Sequence, residues 1–290
     1  MSDNEFRVLV AVGPDGVRDG TLDFAAAEAL QRGTGVELVH VVHSLVVVPS
    51  RTDQVQALDT ALLRVGRTVL TDAAERMRTR VDGAVPLRTE ILSGPVPATI
   101  ADRAAGRDLV VLERRDPDVV DRLLTMSVST RVAAHAKAPV VVVPHGWAPA
   151  AGPLPVTVGV DHPIEAAGQV ETAAAYAVAS GRELRVLYAM WLAEPYQDTF
   201  FVNHTREQWT AEADVELQQA LEKMGDLGTT VTRVVRWVRP VDALVDATRR
   251  SAVVVLSRRP DHGPHGTHLG PVTRAVLRHA ACPVLVVDRT

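Results

Sequence analysis

The stretch from Asp108 to Pro144, DLVVLERRDPDVVDRLLTMSVSTRVAAHAKAPVVVVP, opens and closes on apolar runs of strand length. A charged loop and a short amphipathic helix separate them. The stretch from Ala252 to Asp288, AVVVLSRRPDHGPHGTHLGPVTRAVLRHAACPVLVVD, repeats the plan around a loop rich in His, Gly and Pro. Placing Cys282-Pro283 on Ala138-Pro139 gives an offset of 144. That period is too long for a solenoid and indicates a duplicated domain. Continuous apolar strands joined through helices belong in a parallel sheet covered on both faces. Such sheets hold ligands outside the carboxyl ends of their strands, at helix N-termini. What the loop in each copy can hold therefore becomes the functional question.

The rest of the chain fits this module. RVLVAV at Arg7–Val12 predicts a first strand, and Thr21 to Gln31 predicts a helix closed by Gly33. Val36–Val42, Val85–Leu92, Asp108–Leu112 and Pro139–Val143 predict the remaining strands of the first copy. Helices are expected over Asp53–Arg80, Val96–Ala105 and Ser127–Ala136. The Pro/Gly/Ala segment PHGWAPAAGPLP then reads as a linker. Val156–Val160 starts the second round. It is followed by helices over Ile164–Ser180, Thr205–Met224, Val241–Arg250 and Pro271–Ala281, with strands between them. The expected domains are residues 1–147 and 148–290.

Composition narrows the functional classes. Apolar residues make up 47% of the 290 residues but aromatics only 4%, so the core must be built from Val, Leu and Ala. The net charge is −4, and no segment concentrates Lys and Arg with aromatics, so no nucleic-acid partner is expected. One cysteine, Cys282, rules out an intrachain disulfide framework. The acidic start MSDNEFR has no apolar core of signal length, and no apolar run approaches a membrane span of ~20 residues. No membrane association is expected, and the expected location is the cytoplasm.

The segments RVLVAV…TLDFAAAEAL, DLVVL…STRVAAHAKAPVVVV, VTVGVD and VTRAVLRHAACPVLVV, in this order, resemble a tandem universal stress protein. The resemblance covers both halves. It implies two flavodoxin-like α/β domains, each a five-stranded parallel sheet of order 3-2-1-4-5. It also implies that the domains pair through their last strands by pseudo-twofold symmetry, here within one chain, with homodimers as a further assembly. Members divide into those that bind ATP and those that do not. Their roles are stress tolerance and regulation through protein partners, without robust turnover.

ATP-binding members share a G-x2-G-x9-G-S/T loop after the fourth strand. Glycines there let backbone N–H groups approach phosphate, and the loop delivers the anion to a helix N-terminus. An Asp after the first strand is the adenine-side contact. The first copy departs from this pattern: Gly13 takes the Asp position, and Leu112, Arg115 and Met126 take the glycine positions. Only Ser127 matches, and helix capping is the commoner role of a serine there. The second copy keeps Asp161, with Ala189 at the second-strand contact, Arg258 and Thr273 beside the loop, and Gly270 as the last glycine. These five form the candidate nucleotide site. Leu256 and Arg259 replace the first two glycines, Pro271 replaces the hydroxyl residue, and Gly263 and Gly266 offer another register. Proline opens a helix well but has no N–H to give a phosphate.

Other constellations are weaker. His262, His265 and His268 could ligate zinc or nickel, but the fold supplies no obvious carboxylate or cysteine to complete the site. Asp161, His162 and Glu165 form a conceivable acid–base group without a nucleophile. His135 and His279 stand late in equivalent helices, where a cation is favoured. The aromatics between Trp191 and Trp209 read first as packing and then as a partner surface or a lid. The expectation is a non-enzymatic stress-response binding protein with degenerate ATP loops, no assigned cofactor and an unknown protein partner. The alternative is an ATP-binding sensor that uses the second domain.

Overall fold

The structure is a computed structural model that describes residues 5–42, 52–114, 127–192, 205–258 and 269–289. The chain forms two compact units, Met1–Pro149 and Ala150–Thr290.

The first unit runs β1 (Phe6–Ala11), α1 (Asp19–Arg32), β2 (Gly35–Val42), α2 (Thr52–Val81) and β3 (Leu87–Ser93). It continues with α3 (Val96–Arg103), β4 (Leu109–Arg114), α4 (Val128–His135) and β5 (Val140–Pro144). All the pairings within its sheet are parallel, and the order is β3-β2-β1-β4-β5. Every residue of β2 and β5 is buried, as continuous Val/Leu strands between two helical layers require. The third strand starts at Leu87 rather than Val85. Pro86 has no N–H for the ladder, and only its carbonyl takes part, accepting from the Val36 N–H at 2.9 Å.

The second unit runs β6 (Val156–Val160), a 3-10 turn (Pro163–Glu165), α5 (Ala167–Ala179), β7 (Leu184–Met190) and α6 (Arg206–Met224). It ends with β8 (Val231–Trp237), α7 (Pro240–Thr248), β9 (Val253–Ser257), α8 (Pro271–His279) and β10 (Val284–Val287). Its parallel order is β8-β7-β6-β9-β10, the same 3-2-1-4-5 arrangement. The helix expected from Ile164 is split. Ala166, at φ −94° and ψ 7°, separates the proline-led turn from α5. Asp161 and Glu165 are thereby brought together on a short connection above β6.

The amino edge of the first sheet carries a buried charge network. Glu37 on β2 is fully buried. It accepts from Arg88 at 2.7 Å, from Arg107 at 2.7 Å and from Arg103. Burial by itself would raise the carboxyl pKa. The Arg103 hydrogen bond and the charges of Arg107 and Arg103, with a further hydrogen bond from Arg88, hold it below the usual range instead. Arg88 also lies 4.6 Å from the centre of the Phe6 ring.

In each sheet the strand order reverses between the first and fourth strands: β1 and β4 in one unit, β6 and β9 in the other. A crevice at the carboxyl end of that strand pair is the expected ligand position of an open parallel sheet.

Candidate functional site

In the first unit the described residues at the mouth of the crevice are bonded to one another. Val12 continues the ladder by donating to the Val39 carbonyl at 2.8 Å. Gly13 and Gly16 then bond to each other in both directions, at 3.2 and 3.0 Å, closing a tight turn that Gly16 completes at φ 83°. The chain is delivered at once to the start of α1. There the Arg18 N–H donates at 2.8 Å to Oε2 of Glu113 on β4. The other carboxylate oxygen meets Nδ1 of His145 at 3.0 Å. Glu113 thus joins the start of α1 to the residue that follows β5, and its side chain is only 13% exposed.

The segment after β5 also packs downwards onto α1. The Trp147 carbonyl lies against Gly20 so closely that a Cβ at that position would sit 1.8 Å from its oxygen. The Trp147 ring meets Phe24 edge-on, with centroids 6.0 Å apart. The start of PHGWAPAAGPLP, expected as a linker, is therefore packed against α1 of the first unit. Ser127 caps α4, its Oγ accepting from the Thr130 N–H at 3.3 Å. The Ser129 and Thr130 hydroxyls also lie within hydrogen-bond reach of Ser127, at 3.1 and 2.8 Å. Leu112, at the first glycine position, is buried in the core. Arg115 and Met126 lie outside the described residues.

The second unit separates its candidate residues. Asp161 follows β6 and is 41% exposed. One of its partners is Arg289, whose guanidinium nitrogens lie 3.4 Å from the carboxylate and 2.9 Å from Glu165 Oε2. Ala189 is half-buried on β7, next to Tyr188, which pairs with Val160 at the end of β6. Burial, followed by the negative charges of Glu216 and Asp161, raises the Tyr188 pKa above 10.

Arg258 turns inwards. It is 1% exposed, its backbone N–H donates to the Val287 carbonyl at 2.8 Å, and its guanidinium holds Asp288 at 2.7 Å. Thr273 is buried, and its hydroxyl reaches the Ser257 carbonyl at 3.5 Å, tying α8 to β9. Gly270 is the N-cap of α8, with Pro271 at the first helical position. Asp161 is thus exposed above β6, Gly270 is buried at the start of α8, and Arg258 and Thr273 are engaged with Asp288 and β9.

Leu256 does not project into the loop region. It is buried beside Gly159 of β6, where an added Cβ would meet Leu256 Cδ2 at 3.0 Å and Leu244 Cδ2 at 2.5 Å. Its exchange for glycine is taken up inside the core. Arg259, Gly263, Gly266, His262, His265 and His268 lie outside the described residues, as do Tyr196, Phe200 and Phe201.

Residue 145 of the first unit and residue 289 of the second are equivalent under the offset of 144. Each lies just past the fifth strand of its unit and reaches a carboxylate at the crevice. The sequence singled out neither residue as a partner of these carboxylates, although the offset pairs the two.

A model described as the universal stress protein family matches residues 6–144 and again residues 154–288. The chain belongs to the universal stress protein family. A universal stress protein of Mycobacterium tuberculosis (strain ATCC 25618 / H37Rv) is 26% identical over 307 residues, covering 99% of this chain and 96% of that one. One from Mycolicibacterium smegmatis is 28% identical over 297 residues, covering 99% and 98%. The crystal structure of a universal stress protein from Archaeoglobus fulgidus DSM 4304 matches with a TM-score of 0.67 at 15% identity, covering 100% of both chains, a likeness of fold.

In this universal stress protein the single cysteine belongs to the core. The Cys282 thiol is buried, and burial pushes its pKa up to about 12, which suppresses the nucleophilic thiolate. Among the described residues no three His, Cys, Asp or Glu side chains gather to hold a metal. No helix among them is long and apolar enough to cross a membrane. His135 and His279 are exposed at the last turns of α4 and α8. Trp191, 42% exposed, lies under the Arg239 guanidinium at 4.8 Å. A separate open cleft of about 550 Å³ lies between α6 and β8, lined by Arg206, Asp214 and Trp237 among others.

Proposed function

We propose that this universal stress protein is a non-catalytic binding and regulatory protein whose first unit has given up nucleotide binding. The observation that carries this reading is Glu113. A carboxylate bonded to the Arg18 N–H and to His145 stands in the first crevice, and an anionic ligand entering there would meet a like charge. Gly13 leaves the first unit without an adenine-side carboxylate, and the Trp147 segment fills the space over α1.

The second reading is an ATP-binding stress sensor that works through the second unit with weak or no hydrolysis. Asp161 favours it, being exposed at the switch point between β6 and β9. The phosphate side is poorer: Pro271 removes one N–H donor at the start of α8, and Arg258 is committed to Asp288. Equilibrium titration of the full chain with ATP separates the two readings. Saturable binding abolished by Asp161→Asn supports the sensor, and absence of binding at millimolar ATP supports the regulatory protein without nucleotide.

A further inference from the structure

Arg289 crosses the second crevice. It follows β10, and in the sheet β9 lies between β10 and β6. To reach Asp161 above β6, the Arg289 side chain must span the carboxyl end of β9, the line along which the strand order reverses. The side chain is only 15% exposed although its two acidic partners are 41% and 68% exposed, so its stem and guanidinium lie down on the protein rather than in solvent. Asp288 is anchored beside it by the buried Arg258, and the Arg258 N–H holds Val287 in the β-ladder direction. The position of Arg289 is therefore built: one neighbouring residue is fixed by a buried guanidinium, and its own head group is held by two carboxylates on the β6–α5 connection.

We infer that Arg289 is a latch over the second crevice that competes with an adenine ligand for Asp161. The inference rests on the reading of that crevice as an adenine-nucleotide site. Arg289 contacts both Asp161 oxygens, at 3.4 Å each, and a ligand that approaches them from the side Arg289 covers must separate the two side chains. Breaking this contact leaves Arg289 with Glu165 at 2.9 Å, so the latch swings to one side without losing its charge partner. Such a closure lowers apparent affinity by the fraction of time the crevice is open, and anything that draws Arg289 away raises it.

Adenosine is the diagnostic probe because it has no phosphate for Arg289 to attract. Calorimetric titration compares the full-length wild type with Arg289→Gln, Arg289→Lys, and Arg289→Gln combined with Asp161→Asn. The expected result is adenosine binding about fivefold tighter in Arg289→Gln, within about twofold of wild type in Arg289→Lys, and lost in the double variant. Equal affinities in wild type and Arg289→Gln overturn the latch while leaving the adenine site standing. Weaker binding in Arg289→Gln also overturns it, because Arg289 is then a ligand contact. No binding by any variant at millimolar adenosine, with circular dichroism unchanged, removes the adenine site and the latch with it.

Discussion

The two crevices have the same position in the same sheet order, yet they are closed by different means. In the first unit the closing groups are packed: Glu113 is bonded to a backbone N–H, and the Trp147 carbonyl rests where any side chain at Gly20 would have to be. In the second unit the closing group is one arginine held by two largely exposed carboxylates. Contacts of the first kind open only when local structure is lost. Exposed ion pairs of the second kind are worth little each and exchange readily with solvent or ligand. The comparison separates a mouth held by packed and backbone contacts from a mouth held by a side-chain ion pair.

The largest test of that division lies at the opposite edge of the sheet. Glu37 is buried among Arg88, Arg103 and Arg107, and Glu37→Gln leaves those guanidiniums without their shared anion. A loss of about 3 kcal/mol is expected from unfolding in urea. The ladder registers place Arg185 and Thr232 of the second unit where Glu37 and Arg88 stand in the first. Arg185→Gln is expected to cost less than about 0.5 kcal/mol, as for an ordinary surface change. The pH dependence follows from the lowered Glu37 pKa. Its contribution is fully present above the unfolded carboxyl value near 4.5 and is lost as pH falls through the lower folded value. The first unit should therefore lose stability below pH 4.5, and Glu37→Gln should flatten that dependence. An unchanged acid profile in the variant would assign the loss to other groups.

Gly20→Ala is the next largest. Its Cβ would lie 1.8 Å from a backbone oxygen, so the Trp147 segment must move away. Overpacking of this kind costs about 2 kcal/mol. Hydrogen exchange should rise over residues 144–149 and at the start of α1, with the second unit unchanged. Protection that survives in the variant would show that the segment is held by other contacts and that the first mouth is less tightly built than its geometry indicates.

The fold was legible because its determinants are local and repeated. Val and Leu runs of strand length, separated by helices closed at Gly33 or opened at Ser127 and Thr205, admit few arrangements other than a parallel sheet. The crevices were less legible because their contacts join distant positions. Arg18 and Glu113 are 95 residues apart, and Asp161 and Arg289 are 128 apart. Gly20 gives no sign in sequence that Trp147 will rest on it, since glycine near a helix start reads as part of a turn. Leu256 shows the converse. A missing glycine reads as an obstructed loop, but the side chain goes into the core beside Gly159. The pattern of residue types showed what was absent from the phosphate loop, not where the replacing atoms would go.

Glu113→Gln makes a smaller change at the first mouth. The amide oxygen can still accept from the Arg18 N–H, but the negative charge at the start of α1 is gone. A favourable charge at a helix N-terminus contributes about 0.3–1 kcal/mol, so thermal unfolding should shift by no more than a few degrees. A large shift would mean that Glu113 supports more of the first unit than its two contacts suggest. It would strengthen the contrast with the second unit, where Arg289→Gln is expected to leave stability almost unchanged.

The smallest effect is spectroscopic and concerns the second mouth alone. Tyr188 has its pKa raised first by burial and then by the charges of Glu216 and Asp161. A phenolate beside a carboxylate is disfavoured, so Asp161→Asn should bring the Tyr188 titration down towards 10 while leaving it above that value, because burial and Glu216 remain. Tyrosine absorbance against pH, with Tyr188→Phe to assign the signal, measures the shift. A titration that does not move in Asp161→Asn would place the Asp161 charge too far from β7 to influence a ligand resting between them. The second crevice would then be bounded by Arg289 and Glu165 rather than by Asp161, and the difference between the two units would rest on the latch alone.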